Sequence, residues 1–387
     1  MVKEFILGIE STAHTFGVGI VRNGKVLANA KDTYTTEKGG IIPVESARHH
    51  DKIKENVYRE ALEQAKIKEE EIQGIAFSQG PGLSPCLLVG FKFAKELSKN
   101  LGIPLIPVNH CVAHLEIGKI LKVKNPVMLY TSGANTQVIA YNSGKYRVFG
   151  ETLDMGVGNF IDNFARHLGI GFPGGPRIEE LSKKGNRYVE LPYTVKGMDI
   201  ALSGILTNLK QKIEKMKIPS LRLDYDKNML TKNKSIKLSL TNKKTDYGLK
   251  DYKKSVSNSE HKFERAAASG KVNYTIADLC FSMQETVFSM LVEVSERALA
   301  HLNKKELLIG GGVGCNKRLQ EMCEKMCKAR KAKFFAPEKS LLVDNGAMIA
   351  FLGEVMFKSG IKFSGKQIDK LDIKPRQRTD EVDVRWM

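Results

Sequence analysis

At 387 residues the chain can bury a large core and divide into two lobes, and its 42% hydrophobic and 27% charged content is ordinary for a soluble globular protein. No run approaches membrane-spanning length, and MVKEFILGIEST at the N-terminus mixes acid and base around an apolar stretch too short for a signal peptide, so a cytoplasmic protein with no membrane partner is expected, also nuclear if eukaryotic. The net charge of +18 points to a polyanionic partner, nucleic acid before acidic membrane.

Residues 5–30 read as an apolar strand, a small hydroxyl-rich turn at Glu10–Thr15, a second strand, an Asn23-Gly24 hairpin and a third strand. Helices follow over His50–Ala65 and Val89–Leu101, with the strand GIAFSQGPG between them and IPLIPV after them. Residues 126–150 repeat the opening design, and Ser11 and Ser132, like Gly24 and Gly144, stand about 120 positions apart. The chain reads as an internal duplication, with 1–125 as a first α/β lobe joined by 347–387, and 126–346 as a second. Helices over Asp278–His301, Asn316–Arg330 and Ala347–Lys358 and the strand ELLIGGG complete the alternation expected of α/β lobes. Between them, 214–272 changes texture: 15 Lys and Arg against 7 Asp and Glu, with no sustained period, read as a mobile low-complexity insertion.

The six cysteines are scattered through apolar or helical runs, which fits reduced thiols rather than a disulfide framework. Cys323 and Cys327, four apart, read as a buried helix face before a metal site.

The chemistry centres on NHCVAHLE, Asn109–Glu116. On a helix, His110 and His114 project from one face, one turn apart, as two ligands of a single metal ion would. Zinc proteases place Glu directly after the first histidine as general base. Cys111 occupies that position here, which argues against peptide hydrolysis. The turns after the first strand of each lobe offer backbone N–H groups at Ser11, Thr12, Ser132 and Gly133 to phosphate oxygens. A third glycine-rich turn, Gly310–Asn316, ends a strand and opens a helix, so that a base or ribose can lie against it with Asn316 beside it. Asp162 and Glu179, flanking Gly174-Gly175, are carboxylates placed to hold ribose hydroxyls. Asp344 follows an apolar strand and precedes a helix; an N-cap is its local reading, and an oxygen ligand completing the histidine site is the alternative.

Taken together, NHCVAHLE, YTSGANTQ, FPGGPRIE, ELPYTVKGMDIALSGI, GGGVGCNKRL and VDNGAMIA resemble the tRNA threonylcarbamoyladenosine transferases, a family once labelled O-sialoglycoprotein endopeptidases. The ending RTDEVDVRW resembles the archaeal and eukaryotic cytosolic branch, the catalytic subunit of the KEOPS complex. The resemblance implies the actin-like ATPase and sugar-kinase superfold: two duplicated RNase H-like α/β lobes around a central cleft. It implies transfer of threonylcarbamoyl from threonylcarbamoyl-adenylate to N6 of adenosine 37 in tRNAs reading ANN codons, releasing AMP. One divalent metal ion, iron or zinc, would be held by His110, His114, Tyr130 and Asp344, with His110, His114 and Asp344 as the catalytic set. The adenylate, or ATP or AMP in the same cleft, would lie against Tyr130, Thr131, Ser132, Gly133, Ala134, Asp162, Gly175, Glu179 and Asn316. Ala134 departs from the family, which usually has a second glycine there, and its methyl would crowd the turn if the position required positive φ. The implied partners are tRNA and KEOPS subunits, including a separate small kinase-like protein.

His14 and Glu10 are candidates for a general base. The alternatives to the transferase are a metal- and nucleotide-binding ATPase or kinase, a metalloprotease, and a non-enzymatic scaffold, because a fold does not fix a function.

Overall fold

The computed structural model describes residues 4–37, 39–216 and 272–386. The insertion expected over 214–272 therefore lies, apart from its ends, outside the described residues.

In the first of two five-stranded sheets, β1 (Phe5–Glu10), β2 (Thr15–Arg22) and β3 (Lys25–Thr33) form an antiparallel meander. β4 (Ile72–Gly80) and β5 (Leu105–Asn109) extend it in parallel, giving the order β3-β2-β1-β4-β5. The second sheet repeats the scheme with β6 (Val127–Thr131), β7 (Thr136–Asn142) and β8 (Lys145–Glu151). After a small hairpin of β9 (Val195–Lys196) and β10 (Asp199–Ile200), the parallel strands β11 (Glu306–Gly310) and β12 (Lys333–Phe335) complete the order β12-β11-β6-β7-β8. The expected duplication thus holds for whole sheets. Even the hairpins match, since Asn23-Gly24 and Ser143-Gly144 all take positive φ, as a two-residue turn in a twisted hairpin demands.

Helices alternate with the sheets in layers. α1 (Pro43–Ala65) and α2 (Ser84–Leu101) pack on the outer face of the first sheet through Val57, Tyr58, Phe91 and Phe93. Both begin before the apolar periodicity suggests, at first turns containing proline, which needs no donor there. The outer face of the second sheet carries α4 (Val157–His167), α5 (Gly175–Ser182), α6 (Ser203–Lys215), α7 (Ile276–His301) and α8 (Lys317–Ala329). α7 buries Cys280, and α8 turns Cys323 and Cys327 into this core, the helix-face role expected of the pair.

The middle layer positions the site. α3 (His110–Glu116), which follows β5, and α10 (Gly346–Lys358) lie between the sheets, touching Ile6 and Ala76 on one side and Met128, Tyr130 and Ile139 on the other. The approach of α10 to the first sheet is at backbone contact: a methyl at Gly8 would stand 2.1 Å from the Ala350 nitrogen, and one at Gly19 would stand 2.2 Å from that of Ala347. Glycine is what lets this helix sit so low.

Candidate metal centre

The apolar strand β5 drives the chain into the middle layer, and Asn109 starts α3 by accepting the Val112 N–H on its side-chain oxygen at 3.0 Å. Helical spacing then sets the His110 and His114 rings edge to face with centroids 4.8 Å apart, both buried. Cys111 points into the apolar cluster instead, so no acid occupies the protease position.

Asp344 arrives from the other half of the chain. The apolar run before it forms a one-turn helix, α9 (Lys339–Leu342), where a strand was expected. The cap of α10 is also not Asp344: the Asn345 side chain accepts the Met348 N–H at 2.9 Å. Relieved of capping, the Asp344 carboxylate faces the histidines, with one oxygen 3.4 Å from the Nε2 of His110 and 3.4 Å from that of His114. The three donors lie within 4.8 Å of one another. A charge-assisted hydrogen bond would be tighter. Donors about 2.0–2.2 Å from one tetrahedral ion stand about 3.4 Å apart, which both Asp344–histidine separations match, and the N, N, O set is one that divalent metals take.

Glu10, the last residue of β1, fixes the first histidine. One of its oxygens lies 2.9 Å from His110 Nδ1, while the other accepts the Thr12 backbone N–H at 2.7 Å and the Thr12 hydroxyl. This carboxylate–histidine pairing keeps a proton on Nδ1 and turns Nε2 toward Asp344. Among the described residues, His114 Nδ1 has no such partner.

The charges follow from the packing. Burial disfavours an imidazolium at His110, but the Glu10 and Asp344 carboxylates outweigh it and hold the group well above the ordinary histidine range. For His114 burial prevails, and its pKa is lowered. Burial would raise Asp344, yet the two imidazoles hold it well below the usual carboxylate range, so it is ionised. Tyr130 on β6 packs its ring 5.1 Å from that of His114; burial raises its phenol well above its usual value, so a phenolate there requires a neighbouring cation.

The residues expected to hold the adenylate lie on β6, the turn after it, α4, α5 and the start of α8. Thr131 donates its hydroxyl to the Gly310 carbonyl, and the turn Ser132–Asn135 rests on the start of α4 through Gly158 N to Ser132 O (3.1 Å) and Asn159 N to Gly133 O (3.0 Å). Gly311 (φ 87°) packs so close to Thr131 that a methyl would lie 2.5 Å from the Thr131 oxygen. Asp162 accepts the Gly174 N–H at 2.8 Å, ahead of Gly175 and α5, and burial raises its pKa. Glu179 on α5 accepts the Lys317 N–H at 3.1 Å, and Asn316 caps α8 while donating to Gln284.

The matching family is tRNA N6-adenosine threonylcarbamoyltransferase, over residues 25–351. The chain belongs to that family. The Thermococcus sibiricus enzyme of that name is 46% identical over 98% of this chain and 99% of its own length. A Methanosarcina mazei protein named as a probable bifunctional tRNA threonylcarbamoyladenosine biosynthesis protein is 44% identical over all of this chain but 60% of its own length. Among solved structures, Thermococcus kodakarensis HypF superposes with a TM-score of 0.57 at 13% identity, over 93% of this chain and 48% of that one, a likeness of fold.

Against that family frame several expectations need correction. The N–H groups of Ser11, Thr12 and Ser132 are not free for phosphate: they donate to Ser78 Oγ, Glu10 and the Asn135 carbonyl. Of the two candidate bases, Glu10 bonds His110, and His14 packs its ring edge-on against Phe172, with centroids 5.1 Å apart. Ala134 is exposed and outside the positive-φ region, so the condition under which its methyl would crowd the turn does not arise. Sequence reasoning missed Asn345 and the C-terminal residues Gln377 and Thr379, which bond Asn109 and Gln137. The only local signal for any of them was the Asp344-Asn345 pair, two cap-forming residues ahead of one helix.

Proposed function

We propose that the chain transfers the threonylcarbamoyl group of threonylcarbamoyl-adenylate to N6 of adenosine 37 in tRNAs reading ANN codons, releasing AMP, in the cytoplasm. The observation that carries the site assignment is the convergence of His110, His114 and Asp344, from opposite halves of the chain, on one buried point. These three, with Tyr130 beside them, would hold one iron or zinc ion. Bound there, such an ion supplies Lewis-acid polarisation of the acyl phosphate.

The chain's own groups do the rest. Glu10 keeps His110 in the ligating tautomer, and the ionised Asp344 adds negative charge at the point where the two imidazoles meet. The exposed turn Ser132–Ala134 would face the adenylate phosphate through Gly133, the first donors of α4 being taken by Thr136, Ser132 and Gly133. Asp162 and Glu179 each use one oxygen within the fold, and a carboxylate keeps further lone pairs for ribose hydroxyls. Gly175 and Asn316 complete that set. ATP or AMP would occupy the same cleft.

In the reaction the N6 lone pair forms a bond to the carbamoyl carbon, the carbon–oxygen bond to phosphate breaks, AMP leaves with the bonding pair, and an N6 proton passes to solvent. The exocyclic amine is a weak nucleophile, so positioning and charge stabilisation carry more of the rate than a dedicated base. The base must be presented unstacked, which an anticodon loop allows. A kinase-like partner and other KEOPS subunits belong to this reading; the M. mazei protein named as bifunctional, matched over 60% of its own length, supports a second function working beside the transfer. Purified adenylate and tRNA in single turnover test the assignment: His110→Ala with His114→Ala should lose the metal and about a thousandfold in rate. Retention of both metal and rate refutes the site.

A further inference from the structure

The C-terminal segment 372–379, DIKPRQRT, makes a tight turn at 374–377, where Gln377 N donates to the Lys374 carbonyl at 3.0 Å, and its exposure alternates. Ile373, Pro375, Gln377 and Thr379 turn inward, and Asp372, Lys374, Arg376 and Arg378 are exposed. The inward side is tied to the turns that build the metal centre. Lys374 N donates to the Gln79 carbonyl at 2.7 Å, Gly82 N donates to the Pro375 carbonyl at 3.1 Å, and Asn109, the cap immediately before His110, donates to Gln377 at 3.1 Å. Gly82 in turn packs directly on Thr12, where a methyl would stand 2.6 Å from the Thr12 oxygen. Thr379 then donates to Gln137 of the second sheet at 3.2 Å, so the segment crosses from one sheet to the other beside α3. Arg378 is committed to Asp380 (3.0 Å) and Glu151 (4.0 Å). Among the described residues, Lys374 and Arg376 have no ion-pair partner.

We propose that this segment is a rail for the tRNA phosphate backbone, with Lys374 and Arg376 as its phosphate contacts. The inference rests on the transferase reading and adds to it a docking surface. Lys374 and Arg376 are the first and third residues of one tight turn whose ends stand less than about 7 Å apart, so neighbouring phosphates of one strand can reach both. Rigid backbone anchoring lowers the ordering cost that flexible lysines would otherwise incur. The exposed row is charged throughout, with no apolar side chain to insert into a lipid surface, which favours RNA over an acidic membrane. Because the anchors reach the cap of α3 and the turn beside Glu10, backbone held on the rail is held in register with the reacting centre.

The test neutralises the two cations, K374Q with R376Q, in the full chain assembled with whatever partner subunits modification requires. Neither side chain makes a hydrogen bond within the described fold, so metal content and AMP affinity should stay at wild-type values. Binding of unmodified tRNA should weaken about tenfold at moderate salt, equally for different tRNA sequences, and the slope of log K against log salt should flatten by about 1.4–1.8, two phosphate contacts' worth. Lys325→Gln with Lys328→Gln, a matched loss of charge on α8, should leave the slope unchanged. A double variant with wild-type tRNA affinity and salt slope, in a preparation that still modifies tRNA, overturns the rail and leaves the transferase reading standing. A wild-type preparation that binds tRNA with the expected slope but never transfers the group overturns the reading of function instead.

Discussion

The two halves of the chain share one topology and put it to different uses. In the first, the turn after the opening strand is closed: Glu10, Ser11 and Thr12 are buried, their hydrogen bonds spent on one another, on Ser78 and on His110. In the second, the matching turn is open, with Gly133 and Ala134 exposed and the start of α4 beneath them. The same contrast recurs after the fifth strand of each sheet. β5 passes straight into the histidine helix, while the chain after β12 makes a short helix and then delivers Asp344. In the proposed site one half builds the ligand frame, and the other contributes a carboxylate and an exposed turn. Duplication supplies the frame, and asymmetry at equivalent turns supplies the chemistry.

The sharpest way to break this comparison is to remove the second half's contribution to the first. Asp344→Asn keeps the shape but removes the charge facing two imidazoles, and metal analysis with single-turnover transfer should show lost metal and about a thousandfold lower rate. A variant with full metal content and rate would mean that the second half contributes no ligand.

Glu10→Gln probes the closed turn and should cost about 10–100-fold in metal affinity, measured by competition with a chelator. It also has a pH signature in metal-free protein. His110 is raised on folding, so its pairing with Glu10 stabilises fully below the unfolded histidine pKa of about 6.5 and fades as pH rises through the higher folded value. The melting-temperature gap between wild type and Glu10→Gln should therefore be widest below about pH 6.5 and shrink on the alkaline side. A gap independent of pH would show that Glu10 acts through packing alone.

Ala134→Gly sharpens the comparison from the open side with the smallest effect. The position is exposed and does not need glycine's conformational range, so adenylate affinity should change by no more than about twofold, the scale of an ordinary surface substitution. A gain of tenfold or more would show that the methyl does crowd bound phosphate.

What could be read in advance was what is local or periodic. The i, i+4 histidines after an apolar strand, the paired meanders and the glycine turns each leave a mark within a dozen residues. What escaped was set by long-range partners. Nothing near Glu10 announces a histidine 100 positions away, and nothing near Gln377 announces Asn109. The role of Asp344 turned on which of two adjacent side chains would cap α10, and packing against the first sheet decided it.

The junction at 343–345 has a mechanical meaning. On one side Leu342 accepts the Gly311 N–H of the second half at 3.1 Å; on the other, α10 is pressed by its glycines onto the first. Asp344 thus stands at the seam between the halves, tied by its neighbours to both. A substitution that loosens either side, at Gly311 or at Gly346, would carry the carboxylate away from the two imidazoles.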